Sequence, residues 1–257
     1  MELKSKHSLG QNFLNDGLVL DKIIDSLDIN EKDILIEIGP GMGALTKCLK
    51  RFNNRLFCFE IDERTKPYLD KLVDDNTNII YGDFLNVNLG DYFGRDDIIH
   101  VVANIPYYIT TPIIDKIIDS GLNVKTMTLM VQKEVAIRLS SSSKSSDYGY
   151  FTAYLSYYYD VVKLFDVDKT SFNPIPKVDS AVIKLIANKH KCNDETILFK
   201  LLKDAFKMKR KNLKNNLNGY NLEIVEKVLK LYGLDLTNRA EDLNIDIFID
   251  IANELDV

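Results

Sequence analysis

Asn104-Ile105-Pro106-Tyr107 follows directly on the apolar run Ile98–Ala103, so an amide, a proline and an aromatic ring stand where a buried strand should end. Strand exits are where ligands sit in α/β proteins. An exocyclic amine on an aromatic ring, such as adenine N6, is a poor nucleophile because its lone pair is delocalised. Two acceptors aimed at its N–H bonds would draw the nitrogen toward tetrahedral geometry and localise that pair. Asn104 offers a side-chain carbonyl, and a proline-shaped turn can present the backbone carbonyl of Ile105. Tyr107 offers a face on which a base can stack, worth ~1–3 kcal/mol. As a methyl group arrives from a sulfonium, positive charge develops on the nitrogen and fixed carbonyl dipoles stabilise it. No strong base is needed, since the cationic product sheds its proton readily, and in-line approach supplies the remainder. The bland alternative, Asn104 as a helix cap stiffened by Pro106, leaves Tyr107 unexplained.

The partner for such a site is read from the strand ends before it. Glu37-x-Gly39-x-Gly41-x-Gly43 closes the apolar segment Ile34–Ile38. Glycines there allow a sharp turn and close approach of a ligand to the backbone, with a helix N-terminus behind it. The loop lacks the Gly-Lys-Ser/Thr of a phosphate loop. About twenty residues on, "FCFEID" places Glu60 to accept from both ribose hydroxyls. "YGDF" places Asp83 to accept from an adenine amine, although a turn residue would look the same. These three ends describe an adenosine-containing cofactor without separating a nicotinamide from S-adenosylmethionine. Asn104 separates them, because hydride transfer has no use for an Asn-x-Pro-Tyr.

Positioning these residues takes a layered scaffold. Short apolar runs at Ile34–Ile38, Leu56–Ile61, Asn78–Tyr81, Ile98–Ala103 and Met127–Val131 alternate with helical patterns such as "TPIIDKIIDSG", which Gly121 closes. That alternation predicts right-handed βαβ units and a parallel sheet covered on both faces. A leading helix is expected over Gly17–Leu27 with Asp16 as its N-cap. Ser140–Gly149 reads as a serine-rich surface loop. "YFTAYLSYYY" reads as a helix, and "VVKLFDV" and "SAVIKLI" as strands. After Asn188 only amphipathic helices follow, so domains 1–188 and 189–257 are expected.

The totals agree with a globular chain of 257 residues, 46% hydrophobic and 28% charged. No apolar stretch is long enough for a membrane span, and the start lacks a secretory pattern. Three scattered cysteines argue against a disulfide framework and, with three histidines in no ligand spacing, against a metal site. A cytoplasmic location, no metal and a monomer are the expectations. Net charge is −5, yet Lys200–Lys214 holds seven basic residues against the single acid Asp204. A solvated basic helix face is the plain reading of that cluster.

With these residues in place the chain resembles the ribosomal RNA adenine dimethyltransferase family, in its KsgA branch for small-subunit rRNA, over nearly its whole length. "LGQNFL", "EIGPGMGALT", "EID", "GDF", "NIPYYITTP", "VQKEVAIRL" and "FNPIPKVDSAVIKL" follow in family order. The resemblance implies a Rossmann-like class I S-adenosylmethionine-dependent methyltransferase domain with a small C-terminal α-helical domain. It adds Asn12 and Leu14 to the cofactor set of Gly39, Gly41, Glu60, Asp83 and Asn104, and extends that set to Ile61 and Phe84. It makes Phe172 a second aromatic wall opposite Tyr107, where the residues alone favour a core position. It recasts Lys207, Lys209, Arg210, Lys211 and Lys214 as an RNA-binding surface, with Lys4, Lys6 and His7 as substitutes. It implies a flipped adenosine, and as partner the small-subunit rRNA within the immature subunit. Ile105 and Tyr108 depart from the branch's more usual Leu and Asn. An Erm-type large-subunit methylase, or a non-catalytic RNA-binding assembly or transcription factor, are the alternatives.

Overall fold

The computed structural model describes residues 11–188 and 190–255, with the backbone but not the side chain of Tyr107. The chain forms two compact units. The first runs to Ala136 and resumes over Val162–Ala187; the second takes Ile137–Val161 and the chain from Asn188 onward.

The first unit is built on β2 (Ile34–Ile38), β3 (Arg55–Glu60), β4 (Thr77–Tyr81), β5 (Ile99–Asn104) and β6 (Val124–Gln132), preceded by a short β1 (Phe13–Leu14) and α1 (Gly17–Asp25). Every residue of β2 is buried, as a central strand covered on both faces requires. Strands β7 (Tyr159–Val167) and β9 (Ser180–Ala187) complete a seven-stranded sheet in the order β4-β3-β2-β5-β6-β9-β7. Pairing is parallel from β4 through to β6. The chain steps outward through β2, β3 and β4, then returns to β5 on the other side of β2. That switch point opens a crevice beyond the carboxyl ends of β2 and β5.

The five strands expected to be parallel are so, whereas β9, given no direction from sequence, pairs antiparallel to β6, with Leu129 opposite Ile183. Between β7 and β9 lie only a 3-10 turn at Lys169–Ser171 and a two-residue β8 (Phe172–Asn173). That stretch lacks the helical crossover that parallel pairing needs.

Asp16 caps α1 as expected, accepting from the N–H groups of Leu18 and Val19 at 3.0 and 3.3 Å. Its second oxygen accepts from Ser171 Oγ at 2.8 Å, which ties the N-terminal segment to β8. β1 and β8 pair antiparallel, Leu14 opposite Phe172. At the far end of the sheet His100 is fully buried, its Nε2 3.0 Å from Asp33 and its Nδ1 2.7 Å from Thr126 Oγ1. Burial is the main influence on His100 and lowers its pKa. The neutral ring therefore donates to Asp33 and accepts from Thr126.

The second unit packs α6 (Tyr150–Tyr158), α7 (Glu195–Ala205), α8 (Leu213–Asn216), α9 (Leu222–Leu231) and α10 (Ile245–Leu255). Leu198, Leu201, Leu202 and Ala205 recur at helical spacing on α7 and are all fully buried. Tyr154 and Tyr157 of α6 meet the Phe199 ring edge-on at 5.2 and 5.5 Å. Residues 137–161, read from sequence as part of the first domain, thus pack with the helices after Asn188, and the expected boundary coincides with only one of the crossings. Among the described residues no helix is long and apolar enough to cross a membrane.

Candidate active site

The glycine loop leaves β2 with Gly39 at φ +73° and Gly41 at φ +57°, backbone that side-chain-bearing residues rarely adopt. A Cβ on Gly39 would lie 3.6 Å from the backbone oxygen of Asn104, so the loop runs against the end of β5. A Cβ on Gly41 would come within 3.1 Å of the Phe13 ring. Gly39 N–H donates to Phe59 O at 2.9 Å and Gly82 N–H to Glu60 O at 2.8 Å, which brings the ends of β2, β3 and β4 side by side.

Around this junction lies a cavity of about 320 Å³, a size suited to a small ligand. The segment Gln11–Asn15 forms one wall, including Asn12 and Leu14. Gly39 and Gly41 form the floor with Glu37; Glu60 and Ile61 come from β3 and its exit, Asp83 and Phe84 from beyond β4, and Asn104, Ile105 and Pro106 from β5 and its exit. Each residue expected to bind the cofactor is therefore brought to one cavity.

Two acids dominate its electrostatics. Glu60 is 4% exposed; one carboxylate oxygen accepts from Asp62 N–H at 2.7 Å and the other from Gly41 N–H at 2.9 Å. Burial raises its pKa, and those two N–H groups counteract it. Expected from sequence at a ribose, Glu60 in the structure pins the glycine loop through Gly41. Glu37 lies within the glycine motif, and sequence alone assigns it no role. It is 1% exposed, and burial pushes its carboxyl up to about 7, opposed by the Cys58 thiol, which donates to it at 3.4 Å, and reinforced by the charge of Glu60. The signal for it was present, since an acid inside "ILIEI" interrupts an otherwise apolar strand.

Asn104 donates from Nδ2 to the backbone oxygen of Asn12 at 3.3 Å. With its NH₂ group so engaged, the amide presents Oδ1 as an acceptor. Ile105 is buried, and Pro106 O receives Ile109 N–H at 3.1 Å, closing the turn. The stacking role expected of the Tyr107 ring lies outside the described residues. Tyr108, noted only as a departure, lines the cavity with 64% of its surface exposed and supplies an aromatic face at the rim.

Phe172 is expected opposite the Tyr107 ring, which lies outside the described residues. It is 3% exposed, sits in an apolar cluster with Leu14, Val19 and Ile23, and is not among the cavity residues. Pairing of β8 with β1 commits its side chain to that cluster. That burial agrees with the core position the residues alone favour.

In the second unit Lys207, Lys209, Arg210, Lys211 and Lys214 are all exposed, on the segment between α7 and α8 and at the start of α8. Lys4, Lys6 and His7 lie outside the described residues. Among the described residues no group of His, Cys, Asp or Glu is arranged to hold a metal.

The cavity suits an adenosyl sulfonium: apolar walls from Ile61 and Phe84 for a purine, Glu60 for a diol, and buried acids whose negative potential favours a cation. With a glycine loop at the switch point of a doubly wound sheet, the fold and cavity define a class I methyltransferase that uses S-adenosylmethionine. Among solved structures, a dimethyladenosine transferase from Plasmodium falciparum superposes with TM-score 0.77 at 29% identity, covering 93% of this chain and 95% of that one. The 23S rRNA methyltransferase ErmE shares the fold, with TM-score 0.76 at 23% identity over 96% of this chain and 100% of that one. A protein named Ribosomal RNA small subunit methyltransferase A, from Clostridium acetobutylicum, is 39% identical over 254 residues, 96% of this chain and 92% of its own length. The family model described as Ribosomal RNA adenine dimethylase matches residues 2–257. The chain belongs to that family.

Proposed function

We propose that this chain dimethylates the N6 amines of two adjacent adenosines in the 3′-terminal hairpin of small-subunit (16S) rRNA. It does so in the cytoplasm, as a monomer acting on the immature subunit. The observation that carries the chemistry is the Asn104 amide, which lines the cavity and gives its NH₂ group to the Asn12 carbonyl, leaving its own oxygen to accept. The choice of small-subunit rRNA is supported by the names of the curated relatives, such as the one from Clostridium acetobutylicum.

Asn104 Oδ1 accepts one N–H of the target amine, and the turn at Pro106 presents the backbone carbonyl of Ile105 for the other. Localising the lone pair and stabilising the positive charge that develops on nitrogen are then the work of fixed dipoles, which need no reorganisation. Bound in the cavity, S-adenosylmethionine supplies an electrophilic methyl group. Glu60 holds Gly41 and orients a ribose; Glu37 and Glu60 favour a cationic guest. Tyr107 offers the face on which the base stacks, and the exposed Tyr108 ring lies beside the cavity. Reaching an N6 amine requires the adenosine to leave its stack. The exposed basic segment at Lys207–Lys214 serves as a phosphate contact, positioning the RNA while the pocket selects the base.

Labelled-methyl transfer to isolated small and large ribosomal subunits tests the choice of RNA. Label in small-subunit adenosines supports it; label confined to the large subunit supports an Erm-type activity instead.

A further inference from the structure

Nothing in the chemistry above uses the serine-rich segment Ser140–Asp147, yet its placement in the second unit is specific. Lys209 Nζ donates to the backbone oxygen of Ser146 at 3.1 Å. Two residues past Ser146, Tyr148 is 4% exposed and its ring lies 6.0 Å from that of Phe206, which immediately precedes Lys207. The serine segment and the basic segment are therefore anchored at both ends of a short shared border.

Each segment is also held in a shape that keeps its cations outward. Asn216 is 9% exposed; its Nδ2 donates to Ala205 O at 2.7 Å and its Oδ1 accepts from Met208 N–H at 3.2 Å. One buried amide thereby fixes the turn that carries Lys207, Lys209, Arg210 and Lys211. In the serine segment Lys144 has φ +72°, left-handed backbone that costs a side-chain-bearing residue about 1–2 kcal/mol. Its N–H donates to Glu241 O at 2.7 Å, and its side chain is exposed with no ion pair among the described residues. The reach of two residues puts the Lys144 backbone within about 10 Å of the Lys209 ammonium. The acids nearby include the exposed Asp147, the half-buried Glu241, 3.7 Å from Arg239, and Asp246, whose charge acts on Tyr148. Holding this many like charges together is unfavourable in isolation and favourable against a polyanion.

We infer that the serine-rich segment is a second phosphate-contacting element, which joins the 207–214 segment in one anion-binding surface, with Lys144 as its cation and the RNA backbone as its partner. This rests on the RNA reading given under Proposed function. Lys144 is displayed in a conformation that glycine would hold more easily, and the segment supplies serine hydroxyl groups beside it.

The test compares the full-length protein with Lys144→Gly, which suits the local backbone, and Lys144→Arg, which keeps the charge. Affinity for an adenosine-containing RNA hairpin is measured across a salt series. Calorimetry with S-adenosylhomocysteine serves as a control for the cavity. The expected result is a salt slope lower by about 0.7–0.9 for Lys144→Gly, a slope like the parent's for Lys144→Arg, and unchanged calorimetry. A parental slope for Lys144→Gly in a protein that still binds and methylates RNA overturns this inference and leaves the function standing. A parent protein with no RNA affinity overturns both.

Discussion

The side-chain amide of Asn104 donates to the backbone carbonyl of Asn12 at 3.3 Å, across 92 residues of sequence. This one bond joins the end of β5 to the segment that walls the cavity, and it leaves the amide oxygen to accept. Replacing Asn104 by Ala removes that acceptor. Turnover is expected to fall by about 10²–10³-fold, the usual effect of deleting one fixed dipole at a site of developing charge, with RNA affinity retained. Single-turnover methyl transfer alongside RNA titration measures both.

Phe172 is buried in an apolar cluster, whereas Tyr108 is largely exposed beside the cavity. Since Phe172 is in the core, Phe172→Ala should cost ~3–5 kcal/mol of stability, read by denaturant unfolding. Tyr108→Ala should leave unfolding unchanged and raise KM for RNA, by the ~1–3 kcal/mol of one base–aromatic stack. The reverse pattern would place Phe172 at the base.

Glu37 gives the cavity a pH response. Its folded-state pKa is raised to about 7 by burial, so between the ordinary carboxylate range and pH 7 the unfolded chain is ionised while the folded one is not. Stability is therefore lost as pH rises through that window. Glu37→Gln should raise Tm relative to the parent at pH 8 and change it little at pH 4. Affinity for the cationic methyl donor should increase from pH 6 to 8 in the parent as the carboxylate forms, and stay flat in the variant, by calorimetry.

His100 acts in the opposite sense. Burial depresses its pKa, so below its ordinary value the unfolded chain binds a proton that the folded chain refuses. Stability should fall as pH drops from 7 to 5. Asp33 adds to this at lower pH: burial works against its ionisation, but hydrogen bonds from Asn30 and His100 leave its pKa lowered. A His100→Gln variant should show a shallower loss of Tm between pH 7 and 5.

Local pattern made the scaffold legible where it was strong. β2 falls on Ile34–Ile38 as expected, Asp16 caps α1, and Gly121 at φ +63° ends α4 (Thr110–Asp119). The strand-end residues Gly39, Gly41, Glu60, Asp83 and Asn104 were legible because βαβ order forces successive strand ends to one side of the sheet. What depended on distant partners was not. The antiparallel placement of β9 follows from the chain between β7 and β9, which carries no periodicity to read. α6 is aromatic on several faces, so its pattern does not say that it packs with α7. The bond from Gly41 to Glu60 and the burial of Phe172 arise from approach of segments far apart in sequence.

Labelled-methyl transfer by the parent and by Asn104→Ala, on small and large ribosomal subunits from cells lacking this gene, bears most directly on the account. The account predicts N6-dimethylated adenosine in the small-subunit rRNA with the parent and near-complete loss with the variant. Equal turnover by the two proteins would contradict it.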